Sequence, residues 1–99
     1  MTNKSVRFHE EAVADMESAF EWYFVRSEWA AARFLQAVDE GIRNIVESPE
    51  RWLLYESGLR KYLLDTFPFA LFYRETSSNI EIIAVAHTSR RPGYWRTRL

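Results

Sequence analysis

The stretch LRKYLLDTFPFALFYRETSSNIEIIAVAH, Leu59 to His87, decides the fold. It holds three runs with a period of two, separated by two turn signals. In LRKYLLD, Arg60, Tyr62 and Leu64 fall on one face and Leu59, Lys61 and Leu63 on the other. Phe67-Pro68 marks the first turn and Ser77 to Asn79 the second, with FALFYRE between them. Turns this short join antiparallel neighbours. In IEIIAVAH, Ile83 and Val85 alternate with Ile82 and Ala84, so both faces are apolar. That pattern predicts a central strand covered on both sides.

Upstream the period changes. Ser5 to Phe8 is a short alternating run and reads as a first strand. From Glu10, the apolar residues Ala12, Val13, Met16, Ala19, Phe20, Tyr23 and Phe24 recur at steps of three and four, one face of a helix. Glu10, Glu11 and Asp15 come early, where the helix dipole favours negative charge. Ser27 interrupts the run and can cap a second helix with the stripe Ala31, Phe34, Leu35, Val38, Ile42, Ile45 and Val46. Ser48-Pro49 ends it, because a residue before proline is driven out of helical geometry. A loop is expected from Glu50 to Gly58. The order is β-α-α-β-β-β in an α+β fold, with a helical hairpin packed on one face of a small, mainly antiparallel sheet. Residues 1–99 make a single domain, the size at which one core forms.

Composition narrows the chemistry. The chain is 47% hydrophobic and 16% aromatic, which supports a packed core. It has no cysteine, so thiol chemistry and cysteine-based metal sites are excluded. The three glycines are isolated and form no phosphate-binding loop. His9 and His87 lie far apart, outside any ligand spacing, and read as structural groups. No metal or cofactor is expected. No apolar run suits a signal peptide or a membrane span, so the expected location is the cytoplasm and no membrane partner is expected. The acidic pairs Glu10-Glu11 and Asp39-Glu40 lie on predicted helices, where adjacent residues do not converge.

Charge is unevenly placed. Residues 1–50 hold ten acidic and five basic side chains; residues 51–99 hold four acidic and eight basic. A field polarised in this way suits a partner that meets one face. Four arginines, His87, Tyr94 and Trp95 crowd into the tail HTSRRPGYWRTRL, His87 to Leu99, without one carboxylate. With Arg60 from the preceding strands, the candidates are Arg60, His87, Arg90, Arg91, Tyr94, Trp95, Arg96 and Arg98. Such a group can work on RNA, an arginine stabilising a crowded phosphate while His87 or Tyr94 moves a proton. It can instead bind without chemistry, with Tyr94 and Trp95 as anchors inside a charged rim. The plain structural alternative has both aromatics packed on the sheet and the arginines solvating a fraying end. Trp22 and Trp29 lie off the apolar helix stripes, which predicts an interface on the outer face of the hairpin.

Four segments in order, EEAVADMESAFEWY, ESPERW, GLRKYLLDTFPFALFY and AVAHTSRRPGYW, resemble the RelE/ParE superfamily of type II toxin–antitoxin toxins over nearly the whole chain. The resemblance implies the fold already read from periodicity. It implies a growth-arresting toxin of a plasmid-stabilisation system, a cognate antitoxin that wraps it, and operator DNA reached only through that antitoxin. Trp22 and Trp29 are then antitoxin-binding candidates. RelE-like members cut mRNA in the ribosome, and for that activity the candidates are Arg60, His87, Arg90 and Tyr94. ParE-like members poison DNA gyrase; the target-binding candidates are then Arg60, Lys61, Arg90, Arg91, Tyr94 and Trp95. In RelE-like nucleases an arginine usually follows the aromatic that opens FALFY, where this chain has Ala70, and Leu63 stands where another base is expected. These residues favour a ParE-like toxin that acts by binding. A ribosome-dependent endonuclease and a non-toxic module that keeps only antitoxin recognition are the alternatives.

Overall fold

The computed structural model describes residues 4–99. Strand β1 (Ser5–Phe8) leads into helices α1 (Glu10–Phe24) and α2 (Glu28–Glu47). Strands β2 (Leu53–Leu54), β3 (Arg60–Leu63), β4 (Phe69–Glu75) and β5 (Asn79–His87) follow, and a 3-10 turn closes the chain at Tyr94–Arg98. The sheet order is β1-β5-β4-β3-β2; β1 runs parallel to β5 and every other pair is antiparallel.

Local chemistry sets the element ends. His9 caps α1, its Nδ1 accepting from the Glu11 amide at 3.1 Å. Ser27 caps α2 through its hydroxyl, which accepts from the Ala30 amide at 3.1 Å. Helix α2 stops at Glu47, just ahead of Ser48-Pro49. It buries Ala31, Phe34, Val38, Gly41 and Ile45, a seam with steps of three and four. Gly41 permits a close approach to β3: a Cβ there would lie 2.9 Å from the Tyr62 ring, which the Asn44 amide holds through the tyrosine hydroxyl at 2.9 Å.

Two features differ from the sequence expectation. The loop Glu50 to Gly58 contains the two-residue strand β2, paired with Arg60 and Lys61. Its return turn has positive φ at Ser57 (56°) and Gly58 (75°), the backbone shape that matches the twist of a tight hairpin. The second difference lies in β5. Phe72 faces Ala84 but Tyr73 faces Ile82, so Ile83 is an extra residue in the ladder. This bulge breaks the alternation. Ile80, Ile82 and Val85 pack on the helix side, while Ile83, Ala84 and Ala86 pack on the opposite side. Ile83 and Val85 therefore do not share a face, although β5 is central and apolar on both sides as its composition requires.

The helix-side core gathers Phe34, Val38, Ile45, Tyr62, Leu71 and Tyr73 with the β5 residues named above. Tyr73 is fully buried and donates its hydroxyl to the Pro49 carbonyl at 2.6 Å. Burial pushes this phenol up to about 12 from the usual 10.0. A folded value above the unfolded one means full stabilisation below pH 10, lost as pH rises towards 12. The gap corresponds to roughly 2–3 kcal/mol. Urea midpoints measured from pH 9 to pH 12 are expected to fall across that window. Tyr73→Phe should make the fall shallower, leaving the part due to Tyr94, whose phenol is also raised to about 12; an equally steep profile would remove Tyr73 as a cause.

Candidate functional site

The face of the sheet away from the helices is built from Leu59, Ala70, Phe72, Ile83, Ala84 and Ala86. The C-terminal segment folds back to cover it. Arg90 turns on the His87 carbonyl through a 3.0 Å backbone bond, and Gly93, at φ 84°, redirects the chain into the final 3-10 turn. Trp95 then stacks on Phe72 with ring centroids 4.0 Å apart and is only 3% exposed.

Ion pairs to three carboxylates, Glu56, Asp15 and, more loosely at 3.8 Å, Glu11, hold this segment down. Arg96 makes a bidentate contact with Glu56 at 2.5 and 2.9 Å on the surface. The Arg96 hydrogen bond lowers the Glu56 carboxyl below its usual range. Arg98 reaches across the molecule to Asp15 on α1 at 2.7 and 3.1 Å, and both side chains are buried. Burial opposes the charge on Arg98, but the hydrogen bonds and charge of Asp15 outweigh it and raise the guanidinium pKa.

The position of Asp15 follows from the sheet. Strand β1 ends opposite Ile82, so β5 has no strand on that side from Ile83 onward. Asp15 accepts from the Val85 amide at 3.0 Å, and Arg98 donates to the Ile83 carbonyl at 3.0 Å. Side chains thus complete a ladder that the missing strand leaves open. Asp15 also accepts from the Tyr94 hydroxyl at 3.3 Å. Burial, then the nearby Asp15 charge, pushes the Tyr94 phenol up to about 12. Sequence reasoning assigned Asp15 only to the helix dipole. Its spacing held a further signal, since Ala12, Asp15 and Ala19 follow steps of three and four along the buried side of α1.

The candidate residues do not form one cluster. Arg60 lies on the helix side, where its guanidinium donates to the Trp52 carbonyl at 2.8 Å. The sheet separates it from the tail, because β3 alternates and Arg60 shares a face with Tyr62. Trp95 is a core residue rather than an exposed anchor. Arg96 and Arg98 are tied to carboxylates rather than solvating a fraying end. Lys61 does lie on the tail side, its Nζ 5.6 Å from the centre of the Tyr55 ring. His87 and Arg90 line a shallow hollow there with Lys61 and Trp95, over Ala70 and Ala86. The Arg90 guanidinium stacks 3.7 Å above the Tyr94 ring. Arg91 is exposed beside it.

Three leucines complete this face and its edge: Leu53 (65% exposed), Leu54 (59%) and Leu63 (59%). Leu53 and Leu63 share the face of Lys61, one by pairing and one by strand alternation. The short β2 hid Leu53 and Leu54 from sequence reasoning. The arrangement combines exposed aliphatic surface with Lys61, Arg90 and Arg91, a mixture suited to gripping a protein surface. On the hairpin, Trp22 (54%) and Trp29 (70%) are exposed, with the guanidinium groups of Arg26 and Arg33 lying 3.7 and 5.0 Å from their ring centres.

Among the described residues, no helix is long and apolar enough to cross a membrane. No curated protein matches the chain. Among solved structures, a chain of the chromosomal ParDE TA system from P. aeruginosa is similar to it, with a TM-score of 0.78 and 20% sequence identity. That alignment covers 87% of this chain and 97% of the other, and it shows a shared fold. The sequence model of the family described as the ParE toxin of the type II toxin-antitoxin system, parDE, matches residues 6–92, up to the last residue before the Gly93 turn. With that match across most of its length, the chain belongs to the ParE toxin family of type II toxin–antitoxin systems.

Proposed function

We propose that this toxin acts by gripping DNA gyrase through the tail-side face and that a cognate antitoxin neutralises it. The carrying observation is the makeup of that face. Leu53, Leu63, Lys61 and Arg90 present apolar and cationic surface on the side of the Ala70–Ala86 floor, and Arg91 is exposed next to Arg90 in the chain. The groups a nuclease would use are apart: Arg60 sits beneath the sheet and the Tyr94 hydroxyl turns inward to Asp15. A phenol held neutral by burial is a poor proton acceptor at physiological pH. Trp22 and Trp29 supply part of the antitoxin contact, and operator DNA is reached through the antitoxin. Purified toxin is expected to inhibit gyrase supercoiling, and Leu63→Glu or Lys61→Glu should weaken inhibition at least tenfold. Normal supercoiling at a large molar excess of toxin overturns the gyrase reading.

One observation favours the endonuclease alternative: His87 and Arg90 are exposed and share a hollow. Toeprinting of translated mRNA separates the two. New cleavage sites that disappear in His87→Ala and Arg90→Ala would move the protein to that class. Undisturbed growth on expression without antitoxin would instead support the non-toxic module.

A further inference from the structure

After β5 the chain reverses twice. The first turn fixes the backbone at Arg90. Its amide donates to the His87 carbonyl at 3.0 Å, the Ser89 amide donates to the His87 Nδ1 at 3.0 Å, and the Thr88 amide donates to the Pro68 carbonyl at 2.9 Å. Pro92, whose ring locks φ, and Gly93, at φ 84°, make the second turn. That turn brings Tyr94 back to Arg90, and the guanidinium lies 3.7 Å from the centre of the phenol ring.

Tyr94 is itself held by three groups. Its hydroxyl donates to Asp15 at 3.3 Å, and its ring meets Trp95 edge-on with centroids 5.2 Å apart. The Arg98 guanidinium, paired with Asp15, lies 5.0 Å from the ring centre. A phenol that donates to a carboxylate gains electron density in its ring, and an electron-rich face attracts a cation more strongly. The buried Asp15 cluster thus reaches the surface through this ring.

Arg90 is exposed and makes no ion pair with a carboxylate among the described residues. It lines the tail-side hollow and also a larger groove of about 460 Å³ beside α1. A free arginine samples many rotamers and loses that freedom when it binds. A guanidinium already laid on a ring loses less. Arg91, the next residue, is equally charged and exposed, with no ring beneath it among the described residues. One arginine is aimed and its neighbour is not. What the stack fixes is the place of an unpaired charge at the edge of the target-facing surface.

We infer that Tyr94 is a positioning residue whose ring holds the Arg90 guanidinium ready to contact the target. Its hydroxyl fixes the ring, and the ring fixes Arg90. This rests on the gripping reading above and adds which residue sets its geometry. The position of the phenol in the sequence, near the end of a basic tail, thereby acquires a role that needs no proton transfer.

The test uses full-length toxin and inhibition of gyrase supercoiling. Tyr94→Leu removes the ring and should weaken inhibition about tenfold, whereas Tyr94→Phe keeps the ring and should stay within about threefold of wild type. In Tyr94→Phe, Asp15 retains the Val85 amide and Arg98. In an Arg90→Ala background, Tyr94→Leu should add less than about twofold, a result that a merely structural role would not give. Arg90→Lys probes the same contact from the exposed side without touching the core. It keeps the charge, loses the planar stack and should also weaken inhibition about tenfold. In free wild-type toxin the ring current of Tyr94 should shift the Arg90 Hδ resonances upfield of those of Arg91, and Tyr94→Phe should preserve this shift. Wild-type inhibition by Arg90→Lys, equal losses in Tyr94→Leu and Tyr94→Phe, a full further loss in the Arg90→Ala background, or an Arg90 resonance that matches Arg91 overturns the positioning role and leaves the gyrase reading intact. If wild-type toxin fails to inhibit gyrase, that reading fails and the proposal with it.

Discussion

Replacing Asp15 by alanine is expected to destabilise the protein by ~3–5 kcal/mol, because it takes the close partner from the buried Arg98 charge and leaves only the 59% exposed Glu11 carboxylate at 3.8 Å. The Asp15 and Arg98 side chains are 8% and 6% exposed, so water cannot take over the lost contact cheaply. The same substitution orphans the Val85 amide and the Tyr94 hydroxyl, each of which uses Asp15. Arg98→Ala should have a similar cost for the reverse reason, an unpaired carboxylate near the sheet edge. Replacing both residues together with apolar ones, Asp15→Leu with Arg98→Met, should recover much of the loss, since no charge is then left alone. Urea denaturation of the two single variants and the double variant measures this. Single variants within 1 kcal/mol of wild type would show that the pair does not anchor the tail. The effect should also persist in high salt, which screens buried pairs weakly.

Trp95→Ala is expected to cost about 3–5 kcal/mol, the usual range for deleting a buried indole. Its ring closes the tail-side core against Phe72 and touches Tyr55 and Tyr94 edgewise or at a tilt. The loss should therefore spread, freeing the 3-10 turn and with it the Arg96–Glu56 contact. Trp95→Phe should cost much less. The indole Nε1 is buried without a hydrogen-bond partner among the described residues, so phenylalanine removes an unmet donor while keeping most of the stacking. Thermal melts of the two variants separate the terms. Equal losses for alanine and phenylalanine would mean that a single stacked ring does not hold the tail and that the full indole volume is required.

Both predictions change the meaning of the tail's positive charge. Four arginines in a carboxylate-free segment suggest a basic arm. Two of them are bound to carboxylates elsewhere in the chain, Arg96 to Glu56 and Arg98 to Asp15. The second pair joins the basic half of the sequence to the acidic half, so part of the charge asymmetry is cancelled inside the fold. Arg90 and Arg91 remain exposed, and Arg90 shares the tail-side hollow with Lys61.

The periods of three to four and of two, read along the chain, determined both helices, four of the five strands, the Ser27 cap of α2 and the central place of β5. These features depend on near neighbours: a capping side chain lies within three residues of its amide, and a buried face repeats every turn or every second residue. The exposure of Trp22 and Trp29 was legible for the same reason, because they fall outside the local stripe. Only the tertiary structure decided the rest. It paired Leu53 and Leu54 with β3, placed the bulge at Ile83 and put Arg60 and the tail on opposite sides of one sheet. It also brought Asp15 to Arg98 across 83 positions of sequence. Such contacts answer to where β1 stops and which backbone groups it leaves unmatched, a property of the assembled sheet that no local period records.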